Sequence, residues 1–291
     1  MLPRPSPMSD LSAIRTGAAA TEDDPPRLVR LRAGDWNAGQ TGLISAATIL
    51  VLLFAWWLVT SLHLVAPLFL PTPQEVLAQL YAVFEDGYAN ATLWQHLSAS
   101  LIRIFSAAAF ALLIGVPLGL AMGVSRWAKG IFDPPIEFYW PLPPLSYLPL
   151  MIIWFGIGET SKILLLALAM FAPICLSAQA GVRSVPVERV NAALSLGATK
   201  WQLFRHIVLP SALPEILTGT RIALGVGWGT LVAAELIAAT RGIGYMILSA
   251  SQFLATDVVF VGILVIAAWA FAFSYALRLI ERVLVPWKGK M

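Results

Sequence analysis

Charged residues divide this 291-residue chain into apolar stretches long enough to cross a lipid bilayer. A helix of about 20 apolar residues spans roughly 30 Å of hydrocarbon. Six stretches meet that length: 43–62, 104–125, 138–158, 163–182, 222–240 and 258–277. Only 12% of the residues are charged, whereas soluble domains carry about 25%. The pattern predicts an all-α integral membrane protein with six transmembrane helices, and it excludes a disordered chain, a nucleic-acid-binding protein and an ordinary soluble enzyme.

Two of these stretches contain residues that shape a helix. In the third stretch, four prolines between residues 141 and 149 must break or delay the helix in its first half. In the second, Gly115, Gly119 and Gly123 recur every four residues. Small residues at this spacing let another helix approach closely. The row favours packing within one subunit over contact between subunits.

Basic residues are distributed unevenly between the two sides of the predicted spans. With the N-terminus inside, 16 of the 19 Lys and Arg residues fall in cytoplasmic segments, and only Arg103, Lys162 and Arg241 fall outside. Lys and Arg are retained on the cytoplasmic side during insertion, so this asymmetry predicts cytoplasmic N- and C-termini in a plasma membrane. Residues 1–42 are polar and proline-rich, and we expect a disordered cytoplasmic tail there, followed by the transmembrane domain over 43–288.

The cysteine and histidine content and the absence of known catalytic motifs argue against catalysis and metal binding by this chain. The single cysteine, Cys175, and three histidines exclude a disulfide framework and a zinc cluster. The sequence contains no Walker motif for ATP and no Ser/His/Asp set. We therefore expect a protein that is not an enzyme and that holds neither a metal nor a cofactor of its own.

One ionisable residue, Glu235, lies well inside a predicted span. A carboxylate at that depth costs about 2.5–3.5 kcal/mol on insertion scales, so it should face a cavity, a pore or a donor group. Two interpretations remain open at this point. Glu235 is either part of a substrate path or gate, or it pairs with a polar group across helices near the outer end of the fifth span.

The segment between the fourth and fifth spans, residues 183–221, alternates short helical stretches with helix breakers. We expect one helix over 187–196, ended by Gly197, and a second over 200–208, stopped by Pro210. The second helix gathers its Leu, Phe and Ile side chains on one exposed face. Short amphipathic helices that stand off the membrane favour a protein partner.

Within this loop, a pattern of fixed spacing joins Ala192-Ala193, Gly197 and Ile207-Val208-Leu209-Pro210. It resembles the EAA motif of permease subunits from binding-protein-dependent bacterial ABC importers, although Asn191 stands where that family carries a leading Glu. Similarity to the permeases of taurine importers extends to the strings PLFLPTPQEVL, ATLWQHLSASLIRI, PPLSYLPLMIIWFGIGETSKI and LPEILTGTRIALGVGWGTLVAAELIAATRGIGYMI. Related nitrate, alkanesulfonate and thiamine-precursor permeases share parts of them.

This resemblance implies the type I ABC importer permease architecture, working as a dimer in the bacterial inner membrane. The implied partners are a second copy, two cytoplasmic ATPases that bind ATP and Mg, and a substrate-binding protein outside. In that family the loop forms a coupling helix that docks on the ATPase. Here that contact would involve Ala192, Ala193, Gly197, Ala198, Lys200, Leu203, Phe204, Ile207 and Pro210. The substrate path would involve Glu235, Trp228, Thr230, Ser146 and Tyr147.

Two other classes of function fit the sequence less well. An ion-coupled secondary transporter would have inverted repeats and more ionisable residues in its spans. An intramembrane enzyme would need a catalytic set of residues. Among importers, the substrates that compete with taurine are another alkanesulfonate, a nitrate-type anion and a nitrogenous precursor.

Overall fold

The computed structural model describes residues 38–287, and this part of the chain is helical almost throughout. Its helices are α1 (Ala38–Ser61), α2 (Pro73–Glu85), α3 (Leu93–Val124), α4 (Arg126–Tyr139), α5 (Leu148–Phe155), α6 (Glu159–Arg183), α7 (Val187–Ser195), α8 (Lys200–Leu203), α9 (Leu209–Ala238), α10 (Ile243–Gln252) and α11 (Thr256–Leu284). A 3₁₀ turn, Pro144–Tyr147, precedes α5, and a π-helical turn, Phe204–Val208, joins α8 to α9. The tail predicted for 1–42 lies outside the described residues except at its end, where α1 begins.

Five helical segments in the described range are long and apolar enough to cross a membrane: α1, α3, α6, the joined α8–α9 and α11. They confirm five of the six predicted spans and extend most of them. The clearest extension is α3, which begins at Leu93 because the helix that the sequence predicts over 93–103 runs straight into the second span. Its start is fixed by a capping box, in which Thr92 and Gln95 each accept a hydrogen bond from the other's backbone amide.

α3 and α6 run parallel and pack closely against each other. Arg103 in α3 pairs with Glu159 in α6. Sixteen residues further along both helices, Gly119 faces the backbone of Cys175, where a Cβ atom would overlap the carbonyl oxygen. The glycine row of the second span therefore packs within the subunit, which confirms that prediction.

Because α3 and α6 point the same way, the chain between them must return across the layer that both helices cross. α4 and α5 make this return. Ile136 in α4 packs with Ala172, in the middle of α6. Leu148 in α5 packs with Leu165, nearer the start of α6. The sixth crossing is therefore present, and it runs antiparallel to its two neighbours.

The bounds of this crossing differ from the predicted span 138–158. It extends over residues 126–155 as two helices, with an irregular stretch and a 3₁₀ turn over 140–147. Three prolines lie in that stretch, and each removes a backbone donor that an unbroken helix would need. The predicted interruption by proline is confirmed, whereas the predicted bounds are wrong.

The helix that carries the fifth span begins far earlier than the sequence suggested. α8, the π-helical turn and α9 form one continuous helix from Lys200 to Ala238. Pro210 therefore does not stop a helix, which corrects the prediction. The turn before Pro210 is widened, with the Leu209 amide bonded to the carbonyl of Phe204 five residues back. The wider turn carries the helix past a residue that has no amide donor.

α9 runs antiparallel to α6. Ala212 near the start of α9 faces Gly181 near the end of α6. Further along α9, Gly227 faces Met170 in the middle of α6. The close approaches at these two glycines bring the backbones of α6 and α9 together, and with α3 they form the core of the described bundle.

α11 returns beside α9, and its last turns reach the level of Arg221, which pairs with Glu281. We call this end of the bundle the Arg221 end and the opposite one the Glu235 end. The segment containing α7 and α8 joins α6 to α9 at the Arg221 end. α10 lies at the Glu235 end, where Gly244 contacts Glu235. α2 packs against α11 and α3.

Candidate functional site

Local sequence signals build the α7–α8 turn, which comprises residues 187–207 at the Arg221 end. Gly197 follows α7 with φ +83°, a left-handed conformation that glycine adopts without steric cost. Thr199 caps α8: its side chain accepts a hydrogen bond from the Gln202 amide, and the Gln202 side chain accepts one from the Thr199 amide. The predicted order of helix, glycine and helix is confirmed.

The α7–α8 turn exposes four large apolar side chains that the sequence reasoning did not select: Val187, Leu194, Leu196 and Trp201. Leu196 is 88% exposed. Exposed apolar side chains gathered on short helices are typical of a surface that contacts another protein. The sequence contained one signal for this exposure. Leu196 directly precedes Gly197, where the helix ends and the chain turns, so its side chain has no neighbouring helix turn to pack against.

The residues predicted to contact the ATPase differ in exposure. Three lie at the surface: Ala192, Gly197 and Lys200. The other six are half-buried: Ala193, Ala198, Leu203, Phe204, Ile207 and Pro210. A cleft of about 380 Å³ opens beside the turn, and its walls include Gly197, Ala198, Leu203 and Ile207. The turn therefore offers both protruding apolar side chains and a concave surface.

Phe204 does not belong to the exposed face on which the sequence placed it. Its side chain packs against a cluster formed by Ala178, Ala212 and Ile216 from α6 and α9. Its ring also stacks on that of Trp201, with centroids 5.9 Å apart. Because α8 continues into α9, this helix face is directed at the bundle. The expected exposure of Phe204 is therefore corrected.

A buried ion network occupies the Glu235 end. Arg103 Nη1 donates to Glu235 Oε1 at 2.6 Å, and its Nε and Nη2 donate to the two carboxylate oxygens of Glu159 at 2.5 and 2.7 Å. Lys162 also donates to Glu159, at 2.9 Å. The Arg103 and Glu235 side chains are 3% and 1% exposed, whereas that of Glu159 is 57% exposed. Two buried opposite charges thus satisfy each other inside the bundle.

Further hydrogen bonds join this network to the chain after α9. Glu235 accepts from the Ser100 hydroxyl at 2.7 Å and from the Gly244 amide at 2.8 Å. Arg103 donates to the carbonyl of Arg241 at 2.8 Å. The network therefore links α3, α6, α9 and the start of α10. These contacts match the interpretation of Glu235 as a polar pairing across helices, and its place in a substrate path stays a prediction.

Arg103 was read from the sequence only as a basic residue outside the membrane. The structure places it inside α3 and makes it the centre of the network. A usable signal was present, since Arg103 interrupts an apolar stretch that continues after it, as Glu235 does in α9. Two opposite charges embedded in different apolar helices favour pairing.

The other residues predicted for a substrate path are divided between two places. Trp228 is buried in α9 beside Phe273, and its Nε1–H has no acceptor within the described residues. Thr230 is buried and donates to the carbonyl of Val226. Ser146 and Tyr147 lie in the break of the third crossing, where Tyr147 packs on the same apolar cluster as Trp228. Their role in a path also stays a prediction.

Comparison with known proteins relates this arrangement to membrane transport. Residues 111–288, more than half of the chain, match the family described as binding-protein-dependent transport system inner membrane component. The chain is 58% identical over 257 residues to the taurine transport system permease protein TauC of Escherichia coli K12, covering 88% of this chain and 94% of that protein. It is 37% identical over 240 residues to the putative aliphatic sulfonates transport permease protein SsuC of the same organism, covering 80% and 87%.

Comparison with solved structures supports the same fold. The chain superposes on a chain of the inward-facing MetNI methionine ABC transporter with a TM-score of 0.56 and 19% sequence identity, over 66% of this chain and 95% of that chain. The six crossings, the α7–α8 turn and the match over residues 111–288 point to one conclusion. The chain belongs to the family of binding-protein-dependent transport system inner membrane components, the multi-pass permease subunits of ABC importers.

Proposed function

We propose that this chain is the permease subunit of an ATP-driven importer for taurine. The observation that carries the proposal is the 58% identity to a taurine transport system permease, sustained over 94% of that protein. The identity of 37% to a putative aliphatic sulfonate permease favours the same chemical group, because both names describe sulfonates. Another alkanesulfonate is therefore the second candidate substrate, ahead of a nitrate-type anion.

The proposed orientation places the Arg221 end in the cytoplasm, with both termini on that side. Its support is the distribution of basic residues, 16 of 19 on one side of the predicted spans. The three remaining basic residues, Arg103, Lys162 and Arg241, lie near one another at the Glu235 end, two of them linked through Glu159. Two of these charges, those of Arg103 and Lys162, are paired with Glu235 and Glu159, whereas Arg241 joins the network through its backbone carbonyl.

The α7–α8 turn would dock on a cytoplasmic ATPase. The exposed Leu196 and Trp201 supply apolar contact area, and the neighbouring cleft supplies a concave surface. The continuous helix from Lys200 to Ala238 is about 58 Å long at 1.5 Å per residue. It connects this turn directly to the buried network at Glu235. A displacement of the turn would therefore be carried toward the outer side of the membrane through one continuous helix.

The proposed assembly contains two copies of this chain, two ATPases and one binding protein outside. ATP and Mg would be bound by the ATPases, and we propose no cofactor, metal or nucleic acid for this chain. ATP binding would draw the two α7–α8 turns together and open the translocation path to the outer side. The binding protein would then release its substrate into the path. ATP hydrolysis would return the importer to its inward-facing state. ATP and the loaded binding protein thus bias one two-state equilibrium. The chain would supply the translocation path and the turn that transmits motion from the ATPase. The path would include Trp228, whose buried N–H has no acceptor among the described residues.

The test is ATP-dependent uptake of labelled taurine by vesicles that contain the complete importer. Gly197→Val is the decisive variant, because a β-branched residue is strained at φ +83°. Gly130→Val is the matched control, since a Cβ atom at either glycine meets no atom within 4 Å and Gly130 lacks the positive φ. We expect Gly197→Val to insert normally but to lose the ATPase and at least about tenfold of uptake, whereas the control transports. Uptake of an alkanesulfonate in preference to taurine would replace the proposed substrate.

A further inference from the structure

A second polar cleft lies at the Arg221 end, between α9 and the last turns of α11. Its volume is about 400 Å³ and it is lined by Arg221, Arg278, Glu281, Arg282, Val285 and Pro286. Three guanidinium groups face one carboxylate there, which leaves a formal charge of +2. The cleft is separate from the α7–α8 turn and from the buried network, and neither the fold nor the proposed transport cycle assigns it a role.

The guanidinium groups of this cleft have more donors than the described chain satisfies. Arg221 Nη2 donates to Glu281 Oε2 at 2.5 Å, while its Nε is buried without an acceptor among the described residues. Among the described residues, Arg278 makes a single long hydrogen bond, 3.4 Å from Nε to the carbonyl of Ser274. Because each guanidinium carries five N–H donors in a planar fork, such a group can bind the oxygens of a phosphate or sulfonate bidentately.

The depth of the cleft corresponds to a lipid headgroup. Along α11, Arg278 follows Asp257 by 21 residues, a rise of about 32 Å, which is close to the thickness of the hydrocarbon core. Phe271, Tyr275 and Leu279 form an exposed row at four-residue spacing on the same helix, leading from the cleft toward the membrane centre. An anionic group in the cleft would therefore lie beside an apolar surface suited to an acyl chain.

We propose that this cleft binds the phosphate group of an anionic phospholipid. Arg221, Arg278 and Arg282 hold the phosphate, and the row along α11 contacts one acyl chain. The assignment of the cytoplasmic leaflet rests on the orientation given under the proposed function. The site itself rests on charge and geometry. Basic clefts between helices at the cytoplasmic surface are suited to anionic headgroups, and the apolar row favours a lipid over a free anion.

The experiment measures lipid binding to the full-length chain within its purified importer complex, without nucleotide, in a zwitterionic detergent. Phosphatidylglycerol and phosphatidylcholine of the same acyl composition are titrated and counted by native mass spectrometry. The test variant is Arg278→Gln/Arg282→Gln. The matched control, Arg126→Gln/Arg183→Gln, removes two exposed arginines from the same end of the bundle but outside the cleft. Arg221 is left in place because it pairs with Glu281.

We expect phosphatidylglycerol to bind in preference to phosphatidylcholine, and the test variant to weaken that binding about 30-fold, since each arginine near a surface contributes about fivefold. The control should change it by less than about threefold. Equal losses in both variants, or equal binding of the two lipids, would overturn the proposal. Displacement of the lipid by excess inorganic phosphate or taurine would also overturn it, by assigning the cleft to a free anion. Because neither ATP nor transport is measured, failure here is distinct from failure of the proposed function.

Discussion

Arg103 and Glu235, 132 residues apart in the chain, form a 2.6 Å ion pair in which both side chains are almost completely buried. The same guanidinium also pairs with Glu159, whose side chain is more than half exposed. Glu159 is also the partner of Lys162, which is itself buried, so both carboxylates compensate buried positive charges.

Replacing Glu235 by Ala should destabilise the protein by about 3–5 kcal/mol, because it leaves a buried charge uncompensated. It also removes the acceptor for the Ser100 hydroxyl and the Gly244 amide. Lys129→Ala is the control, because it breaks the more exposed pair of Lys129 with Asp133, and it should cost no more than about 1 kcal/mol. Thermal unfolding in detergent measures both variants. Equal losses would show that burial does not determine the strength of this network.

The glycines of α3 should tolerate a methyl group to different degrees. At Gly119 a Cβ atom would overlap the backbone carbonyl of Cys175, which cannot move without shifting α6. At Gly115 the nearest atom is Ile174 Cγ2 at 3.2 Å, a side-chain atom that can adjust. We therefore expect Gly119→Ala to cost about 1–3 kcal/mol or more and Gly115→Ala less than about 1 kcal/mol. The midpoint of thermal unfolding distinguishes the two, and the reverse order would refute the observed packing of α3 on α6.

Although their rings are stacked, Trp201 should affect binding of the ATPase and Phe204 should affect the stability of the protein. Trp201 is exposed, so Trp201→Ser should leave stability within about 0.5 kcal/mol and reduce recovery of the ATPase in pull-down by at least about fivefold. Phe204 packs between α6 and α9, so Phe204→Ala should lower stability by about 3 kcal/mol. Recovery of the ATPase and the unfolding midpoint are measured on both variants. Undiminished recovery with Trp201→Ser would remove the α7–α8 turn from the contact.

The orientation can be tested with single cysteines. Cys175 is the only native cysteine and is fully buried, so the unmodified chain should not react with a membrane-impermeant maleimide. Asn90 and Ser195 are exposed at opposite ends of the bundle. We expect Asn90→Cys to react in cells with a permeable outer membrane and Ser195→Cys to react only in inverted vesicles. The opposite pattern would reverse the proposed orientation, and reaction of the unmodified chain would contradict the burial of Cys175.

Much of the membrane topology could be predicted from the sequence, because apolar length and the distribution of basic residues depend only on local composition. The residues at which helices begin and end were harder to predict from the sequence. The start of α3 at Leu93 agrees with the helix predicted over 93–103, but the capping box that fixes this start and the continuation of α8 into α9 were not predicted. The chain continues through Pro210 because a π-helical turn widens the helix there. Such a turn changes the hydrogen-bond register by one residue, and the amino-acid composition of the segment does not indicate it.

The candidate site was predicted less completely, for a different reason. The spacing around Gly197 identified the α7–α8 turn, since a residue with positive φ between two short helices leaves a local signature. Which side chains protrude from it depends on where α8 leads, and α8 leads directly into α9. For that reason Phe204 faces the bundle while Leu196 and Trp201 are exposed. The role of Arg103 likewise depended on a partner 132 residues away.

The parallel course of α3 and α6 has a consequence for hydration. It requires the chain between them to cross back, and prolines interrupt this return over residues 140–147, between the level of Ala172 and that of Leu165 and so well within the thickness of the bilayer. Unpaired backbone carbonyls are not tolerated against acyl chains and persist at such depth only where they are wetted or covered by protein. We therefore expect this stretch to be covered by protein or to line a water-filled cavity, and not to face acyl chains.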